Sequence, residues 1–279
     1  MRTIALTLIA MVAFAANSVL ARLAFATAGA EPLGYTGIRL AAGAATLAIL
    51  LLARRQPLQF AGSWSGAAAL FGYAILFSIA YVLLGAGTGA LILFASVQIG
   101  ILGWAIFKGD RPGLLEWLGF AIAFAALAYL VSPGLVAPHP LGTLLMVAAG
   151  LCWAAYTLIG RGSTSPLADT AGNFIRSAPI AIVLLVVGFA THGITPLAAL
   201  YAIASGALAS GVGYAVWYTV LPALSRTRAA IVQLTVPAIA ATGGVLFIGE
   251  ALSPRLVIAT IGIVGGVALA LTAAGRRRM

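Results

Sequence analysis

Long apolar stretches fill almost the whole chain and are separated by short breaks that contain polar residues, Pro or Gly. A helix needs about 20 apolar residues to cross a hydrocarbon layer of roughly 30 Å. Helices are expected because every backbone polar group in lipid must be satisfied within its own segment. The pattern predicts ten transmembrane helices, at about 4–24, 33–53, 66–84, 89–107, 114–131, 141–160, 170–190, 198–220, 227–248 and 255–273.

The pattern occurs twice along the chain. The stretch from Thr88 to Asp110 returns as the stretch from Thr227 to Glu250, and each half holds five of the predicted helices. A repeat with an odd number of helices inserts its second copy upside down, as in many secondary transporters. We therefore predict an all-α integral membrane protein with ten transmembrane helices, arranged as two inverted five-helix repeats around a central cavity. The repeats are assigned to 1–133 and 141–279, with a Pro-rich connector at 134–140.

Composition and charge support a membrane location. The chain is 63% hydrophobic and 7% charged, with a mean hydropathy of +1.13, which excludes a soluble domain. A net charge of +10 would suggest nucleic acid for a soluble protein, but the basic residues follow the positive-inside rule. With both termini in the cytoplasm, only Arg22 and Arg255 fall near the outer side. The predicted location is the plasma (inner) membrane, with cytoplasmic Arg2, Arg54, Arg55, Lys108, Arg111, Arg161, Arg226, Arg228, Arg276, Arg277 and Arg278.

Several positions recur in the same order in the two halves. This duplication includes the first helix, so we interpret that helix as a permanent span and not as a cleaved signal peptide. The matched sets are Phe14, Asn17 and Arg22 with Trp153, Tyr156 and Arg161; Glu31 and Arg39 with Asp169 and Arg176; Tyr81 and Gly85 with Tyr218 and Pro222; and Asp110 with Glu250.

The duplicated positions resemble the drug/metabolite transporter superfamily, in its ten-helix branch made of two EamA-type repeats. The resemblance rests on the Arg39/Arg176 pair, the Gln98/Pro237 positions in the fourth helix of each repeat, and the acidic endings Asp110 and Glu250. The chain is most similar to the YddG-type exporters of aromatic amino acids, although its fourth helix has no aromatic residue or proline at 95–98. The resemblance implies a cavity lined by helices 1, 3, 4, 6, 8 and 9. It also implies outward transport of amino acids or similar metabolites by alternating access.

Polar and aromatic residues within the spans are the candidates for substrate binding. Polar side chains inside a membrane are costly and usually face the protein interior or a cavity. Aromatic rings can hold a substrate by stacking or by cation–π contacts. Hydrogen bonding between helices and core packing remain the alternatives. The predicted substrate-binding residues are Asn17, Tyr73, Tyr81, Ser96, Gln98, Trp153, Tyr156, Tyr214, Trp217, Tyr218 and Gln233.

Other positions are predicted to bend or to anchor helices. Alternating access requires helices that break or rock, so Gly85, Gly87, Gly89, Pro222 and Pro237 are candidate hinges, with a fixed kink as the alternative for Pro237. Glu31 and Asp169 lie about two helical turns before Arg39 and Arg176, within reach of the interface. This spacing favours structural anchors over a substrate site for the two arginines.

The positions of the acidic residues, the histidines and the cysteine favour a transporter over an enzyme. The five acidic residues lie near span ends, and both histidines lie in predicted loops. Without a carboxylate at mid-membrane, facilitated transport is favoured over proton coupling. Cys152 is the single cysteine, and no catalytic or ligand cluster falls within a span, so no enzyme activity, cofactor or metal is predicted.

The predicted partners are a small-molecule substrate and membrane lipid, with no nucleic acid, and the chain is expected to be a monomer. The small-residue face from Gly262 to Gly266 is assigned to packing within the chain. Export of other metabolites or drugs and a membrane scaffold stay open as alternatives. Nucleotide sugars are disfavoured because only Arg39 and Arg176 could meet their phosphates inside the membrane.

Overall fold

The computed structural model describes residues 2–55, 61–109, 112–131, 137–160, 163–220, 223–224, 232–233 and 235–277. All regular secondary structure in these residues is helical. Ten long helices are described, which confirms the predicted fold class. They are α1 (Arg2–Ala26), α2 (Pro32–Ala53), α3 (Trp64–Leu83), α4 (Ala86–Phe107), α5 (Leu114–Val131), α6 (Pro140–Gly160), α7 (Pro166–His192), α8 (Pro196–Val220), α9 (Val236–Ile248) and α10 (Pro254–Arg277).

The helix lengths suit a membrane protein. Six of the described helices, α1, α2, α3, α6, α7 and α8, are each long and apolar enough to cross a membrane, and the other four contain shorter apolar segments. The bounds agree with the predictions to within a few residues. The start of the predicted ninth span, at about 227, lies outside the described residues.

Helix starts follow from local chemistry. Glu31 caps α2, because its two carboxylate oxygens accept hydrogen bonds from the backbone N–H groups of Leu33 and Gly34, both at 2.9 Å. Ser63 caps α3 through Gly66, and Thr195 caps α8 through Ala198. Such caps satisfy donors that have no partner within the helix.

The helix contacts of the first half correspond to those of the second half. α1 contacts α8 and α9, as α6 contacts α3 and α4. The pairs α2 with α7, α4 with α9, and α5 with α10 join equivalent helices of the two halves. This is the packing that two repeats with a pseudo-twofold relation produce.

α5 and α10 pack along each other at the side of the bundle. Their backbones approach closely at Gly119 and Gly266, where a side chain on either residue would overlap the backbone of the other helix. Gly262 packs against the side-chain methyl group of Ala126. The small-residue face of α10 therefore packs within the chain, as predicted.

α8 departs from regular α-helix in its middle. Residues Ser205–Val212 form a π-helical segment between the α-helical segments Pro196–Ala204 and Gly213–Val220. π-Helical turns are rare and are frequent at functional sites. The segment carries two buried hydroxyl groups, on Ser205 and Ser210, into the centre of the bundle.

Candidate substrate-binding site

A small cavity lies at the centre of the bundle, where helices of both halves meet. Its volume of about 20 Å³ is enough for about one water molecule. The cavity is therefore too small for an organic ligand in this conformation. It is lined by Phe14, Asn17, Ser18, Tyr73, Phe77, Leu93, Phe94, Trp153, Ala209 and Tyr214.

Aromatic rings form most of the cavity wall. The Trp153 ring lies 4.9 Å from the Tyr73 ring and 5.1 Å from the Tyr214 ring, measured between centroids. Phe14 meets Tyr214 and Trp217 edge to face, both at 5.8 Å. Such geometries are favourable for aromatic pairs, and they leave ring faces available to a ligand if the helices separate.

A hydrogen-bond network converges on the Tyr73 hydroxyl. Asn17 Nδ2 donates to Tyr73 Oη at 3.0 Å, and Arg39 Nη2 donates to the same oxygen at 3.2 Å. Ser205 Oγ donates to Asn17 Oδ1 at 2.6 Å, and Arg39 Nε donates to Ser210 Oγ at 3.4 Å. The network thus links α1, α2 and α3 of the first half to the π-helical segment of α8.

Arg39 is a buried cation with no anionic partner among the residues that the structure describes. Its side chain is 2% exposed, and its guanidinium carbon lies 5.2 Å and 4.9 Å from the ring centroids of Tyr73 and Phe77. Its Nη1 atom is buried without a hydrogen-bond partner. No Asp or Glu among the described residues forms an ion pair with Arg39. Within the described part of the chain, its charge is met by hydroxyl groups and ring faces.

A second polar cluster closes one end of the bundle, which we call the connector end because His139 of the connector lies beside it. Arg22 forms an ion pair with Glu250 at 3.0 Å and donates to the backbone oxygen of Tyr81 at 3.0 Å. The Glu250 carboxylate accepts from the backbone N–H of Ala86, at 2.8 and 3.0 Å. A carboxylate at the N-terminus of α4 is favourable. The cluster joins α1, α3 and α4 to the segment after α9.

A third cluster holds the opposite end, where α3 and α7 begin. Asp169 and Asn173 accept hydrogen bonds from the backbone N–H groups of Gly62 and Ser63, at 2.8 and 2.9 Å. Arg176 donates to the backbone oxygen of Ala61. These bonds attach the segment before α3 to α7.

The family of the chain is shown by its similarity to known proteins. Residues 140–272 match the EamA-like transporter family. The threonine/homoserine exporter RhtA of Escherichia coli K12 is 30% identical over 276 residues, which is 92% of this chain and 86% of that protein. The chain belongs to the EamA-like transporter family. It is therefore a multi-pass membrane transporter.

Two further likenesses cover nearly the whole chain. An uncharacterised protein of Pseudomonas aeruginosa is 49% identical over 271 residues, covering 97% of this chain and 94% of that protein. A crystal structure with 22% sequence identity superposes with a TM-score of 0.69, over 95% of this chain and 98% of that one. The superposition supports the fold.

The structure brings some of the predicted site residues together and leaves others apart. Asn17, Tyr73, Trp153 and Tyr214 line the cavity. Two more predicted residues, Tyr156 and Trp217, belong to the same group of stacked rings.

The other predicted residues lie away from the cavity wall. Tyr81 is buried at the connector end, and its hydroxyl donates to the Ala86 backbone oxygen at 3.3 Å. Ser96 donates to the Ile92 backbone oxygen of its own helix at 2.8 Å. Gln98, Tyr218 and Gln233 are half-buried and do not line the cavity.

The proposed hinges remain predictions. Gly85 and Gly89 lie close to Glu250 and to the Tyr81 ring, and Gly87 lies close to Ala241 of α9, so each has a packing reason to be glycine. Pro237 lies in the first turn of α9, where proline is tolerated. Pro222 lies outside the described residues.

Sequence reasoning missed the hydroxyls of α8. Ser205 and Ser210 are nearly inaccessible to solvent and complete the network around Tyr73 and Arg39. The run of Ser and Gly from 205 to 213 inside an apolar span was the available signal. Phe14 and Phe77 were also missed, because an apolar ring in a transmembrane helix gives no sign of which way it faces.

Proposed function

We propose that the chain exports neutral amino acids across the plasma (inner) membrane by alternating access. The observation that carries this proposal is the small central cavity, which combines aromatic rings with hydroxyl and amide groups at the junction of the two halves. Groups of this kind bind the apolar and polar parts of a small zwitterion. Among the described residues, no three His, Cys, Asp or Glu side chains are placed to hold a metal ion.

The cluster of Arg22, Glu250 and Ala86 acts as the gate of the connector end. It joins the first helix of one half to a segment of the other half, so rocking the halves apart would separate these contacts. Alternating access requires such contacts to form and break around a fixed site. With both termini cytoplasmic, the connector end faces outward and the structure is closed on that side.

The candidate substrates fall into two groups that differ in the size of the amino-acid side chain. The ring-lined wall favours bulky or aromatic amino acids, which would stack on Trp153 and Tyr214. The likeness to proteins named as threonine/homoserine exporters favours small hydroxyl-bearing amino acids. Threonine and homoserine are therefore the second candidates.

We propose that transport is facilitated and is not coupled to protons. The carboxylates of Glu31, Glu116, Asp169 and Glu250 do not line the cavity, and Asp110 lies outside the described residues. A proton-coupled carrier usually places a titratable group where it faces each side in turn. Transport would then follow the gradient of the substrate alone, through a monomer.

Proteoliposomes that contain only this protein test the proposal. We expect counterflow of labelled phenylalanine, tryptophan, leucine, threonine or homoserine, and no counterflow of UDP-glucose. Ala209→Trp fills the cavity and should abolish the flux, whereas the matched Leu208→Trp lies on an exposed surface and should retain it. Flux that survives Ala209→Trp in folded protein, or the absence of flux for every amino acid, would contradict the proposal.

A pH step at a fixed substrate gradient tests the energetics. Facilitated transport predicts that no amino acid accumulates above its equilibrium level when the step is imposed.

Labelling of Ala137→Cys from the outer side, in a Cys152→Ser background, tests the orientation. Labelling from the cytoplasmic side alone would reverse the assigned topology.

A further inference from the structure

We infer that Tyr73 and Arg39 form the subsite for the carboxylate group of the substrate, with the Tyr73 hydroxyl as the direct donor and Arg39 as the compensating charge behind it. The inference rests on the proposed amino-acid transport and names the chemical group that this part of the cavity recognises. It gives Arg39 a role in recognition in place of the anchoring role anticipated from the sequence.

The hydrogen bonds at Tyr73 are both donated to its phenolic oxygen. A phenolic oxygen accepts hydrogen bonds and also has one proton to donate. Asn17 and Arg39 both donate to this oxygen, so neither bond uses the phenolic proton. The Tyr73 side chain lines the cavity. The proton is therefore available to an acceptor that enters there.

The charge of Arg39 is uncompensated among the described residues. Burial of a cation without an anion is costly, and such groups are normally paired. Arg39 has no carboxylate partner among the described residues, and its Nη1 atom makes no hydrogen bond. A negatively charged substrate group beside Tyr73 would supply the missing charge.

The Arg39 and Tyr73 side chains are coupled by a hydrogen bond and a cation–π contact. The Arg39 guanidinium donates to Tyr73 Oη at 3.2 Å and lies over the Tyr73 ring. A donor that already receives a hydrogen bond from a cation is polarised and becomes a stronger donor. Arg39 thus acts through Tyr73 and remains screened from the cavity by that ring. A carboxylate fits this arrangement, whereas an ammonium group would be repelled by it.

The remainder of the network holds Tyr73 in place. Asn17 is fixed by Ser205, which donates to its side-chain oxygen at 2.6 Å. The amide group of Asn17 is thereby oriented with its nitrogen toward Tyr73. The donors on α1 and α2 both point at one oxygen on α3, so the phenolic proton is directed away from them.

Binding of acids and their amides to purified protein tests the inference. The probes are L-phenylalanine and L-threonine, each paired with its carboxamide, which has the same shape without the negative charge. Trp153 lines the cavity, so its fluorescence reports binding. We expect the parent protein to prefer each acid over its amide by about 10- to 100-fold, the range for a hydrogen bond to a charged group.

Matched variants assign the preference to these side chains. Tyr73→Phe removes only the hydroxyl, and Arg39→Gln removes the charge. Each variant should reduce the preference for acid over amide to less than about threefold. A remaining preference of about 10-fold would show that the carboxylate binds elsewhere. Tyr201→Phe and Arg54→Gln make the same changes outside the cavity and should retain the preference of the parent protein. The unfolding temperature of each variant is measured in parallel.

The possible outcomes separate this inference from the proposed function. Equal binding of acid and amide by the parent protein would overturn the carboxylate subsite and leave amino-acid transport standing. An acid preference that persists in folded Tyr73→Phe and Arg39→Gln would overturn it as well. Failure of both acids and both amides to bind the parent protein would contradict the proposed function together with the inference.

Discussion

Arg39 and Arg176 occupy equivalent positions in the two repeats, yet their surroundings differ. Arg176 is half-buried, donates to the backbone oxygen of Ala61 and lies 5.8 Å from the centroid of the Trp64 ring. Arg39 is buried at the centre of the bundle among hydroxyl groups and rings. One arginine holds a connecting segment, and the other lies behind the cavity wall.

The difference shows that a duplicated residue can acquire a separate role in each half. In the second half, Asp169 and Arg176 both bind the segment before α3. In the first half, Glu31 caps its own helix and leaves Arg39 to contact Tyr73. The pseudo-twofold relation of the helices therefore does not extend to the polar groups, and Arg39 of the first half lies behind the cavity wall at Tyr73.

The largest expected effect is on transport by Arg39→Gln. Loss of the charge behind Tyr73 should reduce amino-acid flux by about 10- to 100-fold, because hydrogen bonds to charged groups contribute about 1.5–3 kcal/mol. Initial rates in proteoliposomes, divided by the amount of folded protein, measure this change. A reduction in flux of less than twofold would show that Arg39, like Arg176, has no role in transport.

The next largest effect is on stability, by Arg176→Gln. This variant loses a charge-assisted bond to the Ala61 backbone oxygen, so we expect its free energy of unfolding to fall by about 1–2 kcal/mol, since the site is half-buried. Flux per folded molecule should stay within twofold of the parent. A selective loss of carboxylate substrates would instead assign the recognition role to Arg176.

A smaller effect is expected at the connector end from Glu250→Gln. Unlike Arg39, Arg22 has a carboxylate partner, and neutralising that partner weakens the ion pair and the contact with Ala86. The gate should open more often. Labelling of Ala209→Cys from the connector side, in a Cys152→Ser background, should accelerate by about 3- to 10-fold, which corresponds to about 0.7–1.4 kcal/mol. An unchanged labelling rate would show that other contacts close this end.

The smallest effect is expected from Ser210→Ala. The Arg39 Nε to Ser210 Oγ distance of 3.4 Å marks a weak hydrogen bond. Amino-acid flux should therefore change by less than about threefold. A loss as large as that of Arg39→Gln would mean that Ser210, and not Tyr73, is the main partner of the guanidinium.

Much of the fold could be predicted from the sequence because apolar length alone defines a membrane span. The ten spans and the division into halves needed no knowledge of packing. The π-helical segment of α8 could not be predicted, since the Ser and Gly residues of Ser205–Val212 lie within an apolar span that is long enough to form one continuous α-helix. The start of α9 falls on residues outside the described part of the chain.

The site could be predicted only where polarity coincided with a cavity-facing position. Asn17, Tyr73, Trp153 and Tyr214, which were proposed from residue type and helical spacing, line the cavity. The position of Arg39 was the harder case, because its distance from Glu31 along the helix suggested a side chain that reaches the interface. The side chain lies instead against α3 and α8, which only the three-dimensional packing reveals.

Thermal unfolding of Arg39→Met and Arg176→Met tests the contrast between the two arginines most directly. A buried charge without a compensating anion carries a desolvation cost that an apolar side chain of similar length does not carry. We therefore expect Arg39→Met to unfold at or above the temperature of the parent protein, and Arg176→Met to unfold below it. A fall in the unfolding temperature of Arg39→Met as large as that of Arg176→Met would contradict the assignment of Arg39 to the substrate and would make both residues anchors.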